Sequence, residues 1–494
     1  MARFALSYQA RLFCRLKIHP SVSCGCSRKT LSSVHTKTEL EDYVVEFNEQ
    51  QRFYEAKKIS EMVRALFVLK LSSYDIFVKN SLSLMQFAEK FLGTRMFNNL
   101  MKRTIYSQFV AGEEYPDIKE SIASLQRHGI GTILCVPTEE DFAEESDEFE
   151  SKEPLFERNS EVIHDCIAKT ETGALSQMRV SAICSPSLLK HLSDLLESYQ
   201  SEIEKPNGLD VNNLAKGFDT DKYHNDLVPV LSESKNRHLQ NSLRRLDSFA
   251  KHCKERNVKL LVDAEQSYIE GAIHQMILTL QSRHNTITPW VYGTYQCYRK
   301  DTLARLKADL NLMSNEGFHF GAKLVRGAYR EQERQRSAEL GFKDLIHDSY
   351  EDTCTSYNTV AEIILDKVAC SPAEVMLATH NEESIRVATK RMHELGIDKR
   401  DKKVSFAQIY GMCDQVSYLL GSYVQCNKGY GVYKSVPYGP ISTTLPYLVR
   451  RAMENRDITA RTEKERSLMW KEIGYRLLPL KQQEYKYSQQ EKQV

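Results

Sequence analysis

From Gly129 onward, short apolar runs alternate with stretches whose apolar positions recur every three or four residues. The runs predict strands at Thr132–Pro137, Met178–Cys184, Lys259–Ala264, Trp290–Tyr298, Gly321–Tyr329, Glu374–His380, Val404–Tyr410 and Val432–Val436. The intervening stretches predict helices such as Leu188–Tyr199, Asn236–Arg256, Thr302–Asn315, Tyr350–Asp366 and Ser384–Leu395. Strand and helix alternating eight times predict an α/β fold, a parallel sheet closed as a TIM-like β/α barrel over 126–475. An open doubly wound sheet shares that alternation, but its G-x-G-x-x-G turn after the first strand is missing. Upstream, Met62, Val63, Leu66, Phe67 and Leu69 lie at helical spacing within Tyr54–Ala88. They predict an N-terminal helical arm over 39–125 whose stripe faces a core; a membrane-surface helix is the other reading. Two stretches interrupt the pattern: acidic Glu139–Glu153 reads as a solvated loop, and Asn207–Lys235 as a polar excursion. A polar tail over 476–494 ends the chain, with Gln482–Val494 expected to fray.

Composition narrows the function. The 494 residues are 41% hydrophobic, ample for a core, and one barrel with additions reaches this length. A net charge of +1 gives no electrostatic case for a nucleic-acid partner. No apolar run approaches the roughly 18 residues of a membrane span. The twelve cysteines are scattered without C-x-x-C pairs, which predicts free thiols and no metal site. Residues 1–38 contain Arg3, Arg11, Arg15, Lys17, Arg28, Lys29 and Lys37, several serines and no acidic residue. That is the composition of a mitochondrial targeting peptide; a disordered basic terminus is the alternative.

Near the chain's end, a helix through Pro446–Asn455 puts Tyr447, Arg450, Arg451 and Glu454 on one face. Two adjacent guanidiniums suit an anion, and arginine grips a carboxylate with parallel hydrogen bonds. The face fits a small zwitterion such as an amino acid; a solvated face with an intrahelical Arg–Glu pair fits the same spacing. Barrel chemistry sits where strands end. Asp263 and Glu265 end the third strand, Gln296 ends the fourth, Lys323, Val325, Gly327 and Tyr329 share a face of the fifth, and Thr379-His380-Asn381 end the sixth. Each polar group alone reads as structural, but together they surround one mouth. H-E-x-x-H and G-x-S-x-G motifs are missing, so hydrolysis has no support, and a redox reaction would need a cofactor.

Val-Asp-Ala-Glu (262–265), Thr-Tyr-Gln-Cys-Tyr (294–298), Gly-Ala-Lys-Leu-Val-Arg-Gly-Ala-Tyr (321–329), Ala-Thr-His-Asn (378–381), Gly-Met-Cys-Asp (411–414), Val-Pro-Tyr-Gly (436–439) and Pro-Tyr-Leu-Val-Arg-Arg-Ala-Met-Glu-Asn (446–455) together resemble the proline dehydrogenase family. The resemblance implies a distorted β/α barrel holding FAD. It also implies hydride transfer from a pyrrolidine-2-carboxylate, with electrons passed to quinone at the matrix side of the mitochondrial inner membrane, contacted peripherally. It implies catalytic roles for Asp263 and Lys323, and substrate contacts from Arg179, Tyr329, Ser435, Tyr447, Arg450, Arg451 and Glu454. Glu265, Gln296, Arg326, Gly327, Ala328, Thr379 and His380 resemble the flavin contacts. Ser435 stands where proline-preferring members have Tyr, similar to the branch that oxidises trans-4-hydroxy-L-proline to 1-pyrroline-3-hydroxy-5-carboxylate. Serine leaves room for a ring hydroxyl and can bond to it. Oxidation of L-proline to 1-pyrroline-5-carboxylate is the alternative. Outside enzymes, the rival is an inactive barrel serving as a binding scaffold.

Overall fold

Eight short, largely buried runs form eight parallel strands: β1 Gly131–Cys135, β2 Leu175–Met178, β3 Lys259–Val262, β4 Val291–Gln296, β5 Phe320–Val325, β6 Ala373–Ala378, β7 Val404–Ile409 and β8 Gly431–Pro437. Each pairs with the next, and β8 returns to β1 through five registered pairs from Gly131–Tyr433 to Cys135–Pro437, closing the barrel. The computed structural model describes residues 45, 47, 54–55, 57–74, 80–136, 149–199, 209–219, 221–425, 429–457 and 459–477. The basic segment 1–38, most of the acidic stretch and the tail beyond 477 lie outside those residues.

The helices, in order, are α1 Ile59–Leu71, α2 Ser81–Leu92, α3 Thr94–Arg103, α4 Ile105–Phe109, α5 Tyr115–Gln126, α6 Phe149–Lys169, α7 Pro186–Tyr199, α8 Val211–Leu214, α9 Glu233–Glu255, α10 Ser267–His284, α11 Thr302–Glu316, α12 Arg330–Leu340, α13 Tyr350–Cys370, α14 Glu382–Glu394, α15 Asp414–Gln425, α16 Ile441–Asp457 and α17 Thr459–Leu477. Local signals set several boundaries. Asn381 caps α14 by accepting from Ser384 N, Ser349 and Asp352 form a capping box at α13, and left-handed Gly317 and Gly341 end α11 and α12.

Side chains alternate across each strand, so every second residue points into the barrel. The inward set fills the barrel floor with Ile133, Leu175, Leu261, Tyr292, Met376 and Ala407, all buried. Two residues further along the same strands, the inward positions are Cys135, Gln177, Asp263, Thr294, Ala378 and Ile409, and these line a cavity at the C-terminal mouth.

Four expectations about the elements need correction. The fifth strand ends at Val325, so Gly327 and Tyr329 lie in the loop after it and not on its face. The second strand occupies Leu175–Met178; Met178–Cys184 is instead the strand's last residue followed by a 3-10 turn at Val180–Ala182. Asn207–Lys235 is not a polar excursion, because Leu209, Leu214, Phe218, Leu227, Val228 and Leu231 are buried in the core under β2 and β3. Glu153 is not in a solvated loop. It lies in α6 and accepts from Asn241 Nδ2 at 2.9 Å and Arg245 at 2.5 Å, facing His238 Nδ1 at 2.7 Å, all on α9.

The arm docks by steric necessity at Gly411, whose φ is +74° and whose Cβ would lie 1.7 Å from the Gln108 carbonyl oxygen. Gln108 Nε2 then donates to Gly411 O at 2.6 Å. Beside it, Asp414 sits between Lys434, at 2.8 Å, and Lys57 of the arm. Burial alone would raise its carboxyl, yet the two ammonium groups hold it well below the usual carboxylate range.

Candidate active site

The mouth opens into a cavity of about 760 Å³, within the ~300–1,000 Å³ range of ligand sites. Asp263 and Lys323 meet across it at 2.8 Å. Lys323 is only 8% exposed, and burying an ammonium group at that depth requires the carboxylate partner. Gln177 joins the pair, donating from Nε2 to Asp263 Oδ2 at 2.6 Å and accepting from Lys323 Nζ at 3.3 Å. Ser435 Oγ donates to the same Gln177 oxygen at 3.5 Å and lies 3.8 Å from Cys135 Sγ. Burial pushes the Cys135 thiol up to about 12, so it stays neutral.

Gln177 and Cys135 escaped the sequence reading. A second strand begun at Met178 leaves Gln177 outside the strand; two-residue periodicity back from Arg179 was the signal that would have placed it at the mouth.

The arginine helix is α16. It begins at Ile441, earlier than the Pro446 start read from the motif. Leu448 is fully buried in an apolar cluster with Val68, Met85, Phe97, Met101 and Tyr106 from the arm. That packing fixes the helix's rotation so that Tyr447, Arg450 and Arg451 line the cavity. Arg451 is 5% exposed and Tyr447 is 7% exposed, which excludes the solvated-face alternative. The Tyr447 ring lies 4.9 Å from the Arg451 guanidinium carbon and 6.0 Å from that of Arg450. Glu454 is on the same helix, but its side chain lies outside the described residues. Arg179 and Tyr329 complete this end of the cavity. Burial raises the Tyr329 phenol, a shift opposed by Arg179 and Arg450.

The other end is built from β4 to β6. Gln296, Arg326, Gly327, Ala328, Thr379 and His380 all line it. Arg326 donates to Thr379 Oγ1 at 2.5 Å and Ser384 Oγ at 2.8 Å and lies 4.5 Å from the Tyr357 ring centre. Its Nε is buried with no hydrogen-bond partner among the described residues. Gly327, at φ +133°, leaves no space for a side chain, since a Cβ would meet the Tyr298 ring at 2.4 Å. Lys464 and Arg386 also lie on this rim, paired with two lining carboxylates, Glu382 and Glu383 respectively. Glu265 does not line the cavity. β3 ends at Val262, so the two-residue periodicity stops before it, and Glu265 accepts from Ser181 N at 3.0 Å and Ser181 Oγ at 2.5 Å. Gln296 Nε2 reaches its backbone oxygen at 2.8 Å, so Glu265 supports the lining from behind.

Comparison with known proteins agrees with this geometry. The family model described as proline dehydrogenase matches residues 119–464. Hydroxyproline dehydrogenase of Xenopus laevis is 37% identical over 429 residues, covering 86% of this chain and 89% of that protein. The mouse protein of that name is 38% identical over 442 residues, covering 86% and 93%. Human proline dehydrogenase 1, mitochondrial, is 30% identical over 543 residues, covering 88% and 90%. Among solved structures, proline utilization A of Bdellovibrio bacteriovorus superposes with a TM-score of 0.56 at 16% identity over 82% of this chain, and supports the fold alone. The chain spans 37% of that longer protein. An eight-stranded barrel whose mouth joins paired arginines to a buried lysine–aspartate pair thus belongs, by its matched sequence, to the proline dehydrogenase family of oxidoreductases.

Proposed function

We propose that this chain is a mitochondrial, FAD-dependent dehydrogenase that oxidises trans-4-hydroxy-L-proline to 1-pyrroline-3-hydroxy-5-carboxylate, the first step of hydroxyproline breakdown, with a quinone as final acceptor. The observation that carries the reading is one cavity with an arginine pair at one end and a polar cradle around Arg326 at the other. The cradle fits a flavin dinucleotide: Arg326 suits its phosphates, and Gln296, Thr379 and His380 offer polar contacts. When bound, FAD supplies the two-electron acceptor that none of the protein's own side chains can provide.

The residues of the chain do the rest. Arg450 and Arg451 hold the substrate carboxylate, with Arg179 as a third cation, and Tyr447 packs on the pyrrolidine ring. This fixes the ring carbon that loses hydride, and such orientation is worth up to roughly 7–11 kcal/mol when complete. The nitrogen lone pair forms the carbon–nitrogen double bond as hydride leaves the ring carbon, so the substrate must react as the neutral amine, and the iminium product then gives up its N–H proton to water. Asp263 and Lys323, locked by Gln177, keep a fixed pair of charges beside it. Ser435 sits where a 4-hydroxyl group can bond to its oxygen.

The test is a rate comparison on the purified yellow protein with a soluble acceptor, using trans-4-hydroxyproline and proline, alongside Ser435→Tyr. Preference for hydroxyproline, reversed or abolished in the variant, supports the reading. Preference of the native chain for proline assigns it instead to L-proline oxidation, and a colourless protein inactive on both would leave a binding scaffold.

A further inference from the structure

Helices α2 and α3 bury one face each and expose the other. Met85 of α2 and Phe97 and Met101 of α3 pack into the cluster that holds Leu448. The outward side carries Leu84, Phe87 and Phe91 at i, i+3 and i+7 of α2, then Met96 and Leu100 at i and i+4 of α3. Phe91 is 80% exposed and Phe87 68%, and their rings stack with centroids 6.3 Å apart. Large apolar side chains gathered on one exposed face mark a contact surface.

Charge decides which contact. Within the two helices, Lys90, Arg95, Lys102 and Arg103 stand against one acid, Glu89, in a chain whose net charge is only +1. Lys102 is engaged by Glu113 at 2.5 Å; the others remain exposed. Aromatic and leucine side chains on one side with lysine and arginine around them suit an anionic bilayer, the rings entering the acyl boundary and the cations meeting phosphates. At twelve and ten residues, neither helix can cross a membrane. We infer that the α2–α3 face seats the protein on an anionic lipid surface. This deepens the proposed function, resting on its membrane-held quinone, by naming the surface that meets the bilayer. The hairpin's inner side packs against α16, so the docked lipid would lie directly behind the helix bearing Arg450 and Arg451.

The experiment is co-sedimentation of the full chain with vesicles of phosphatidylcholine alone and of phosphatidylcholine with phosphatidylglycerol. Sedimentation with the anionic vesicles is expected. Phe87→Ser/Phe91→Ser should cut that partition by more than about tenfold, from the apolar area lost. Lys90→Gln/Arg95→Gln/Arg103→Gln should cut it by about fivefold per removed charge. Both variants should keep native turnover with the soluble acceptor, which reports separately on the catalytic reading. The inference is overturned if the native chain stays in the supernatant, or if both variants sediment as it does. It is equally overturned if the phenylalanine variant converts a dimer to a monomer with vesicle binding unchanged, because the face then belongs to a second copy.

Discussion

Arg451 shows how much a single position depends on its surroundings. Its charge is tolerated at 5% exposure because a ring lies 4.9 Å away and a cavity opens in front of it. Arg451→Met should raise KM for the imino acid by about 10–100-fold, the effect of losing a charge-assisted hydrogen bond of ~1.5–3 kcal/mol. The flavin absorption band should persist, and an unchanged KM would remove Arg451 from the carboxylate site. Gln177 is the residue that only the folded chain reveals. It touches Asp263, Lys323 and Ser435 at once, so Gln177→Leu should lower kcat about tenfold or more while KM moves less. A kinetic profile altered in KM alone would make Gln177 a substrate contact instead of a positioning residue.

At the level of elements, α16 works because its two faces have different neighbours. Leu448→Ala, at a site fully buried against the arm, should cost about 2–5 kcal/mol and raise KM, although it touches nothing in the cavity. Thermal melts and steady-state kinetics on the same preparation check both effects; a lower Tm with native KM would separate the arm from substrate binding. The β3–α10 turn gives a pH signature. Burial pushes the Glu270 carboxyl up to about 8, against the pull of Arg305 and Arg299, and it accepts from Glu265 N at 2.7 Å. A carboxyl raised in the fold holds its proton there but loses it in the unfolded chain near pH 4.5. The contribution of Glu270 to stability should therefore fall as pH rises from 4.5 to 8. Glu270→Gln removes that loss, so its Tm relative to the native chain should climb over this range. A difference that stays flat with pH would show Glu270 ionised throughout.

For the whole molecule, the arm and the end of the chain close on each other around the barrel. Tyr54 OH donates to Gln415 Oε1 and Glu465 Oε1, each at 3.2 Å, and Arg476 of α17 donates to the carbonyls of Tyr54, Glu55 and Lys57. Those contacts span more than 350 residues of sequence, which no local pattern can encode. The chain itself settled the strand count, the parallel barrel and the presence of Asp263, Lys323, Arg450 and Arg451 at strand and helix positions. It could do so because periodicity and residue type act over a few neighbours. Tertiary structure alone decided that Arg451 is buried and faces a cavity, that Glu265 turns away behind Gln296, that Gln177 joins the charged pair, and that α2 and α3 leave an apolar face outward. Each of those depends on which distant segment packs alongside, and burial is a property of the assembled surface that no residue carries by itself.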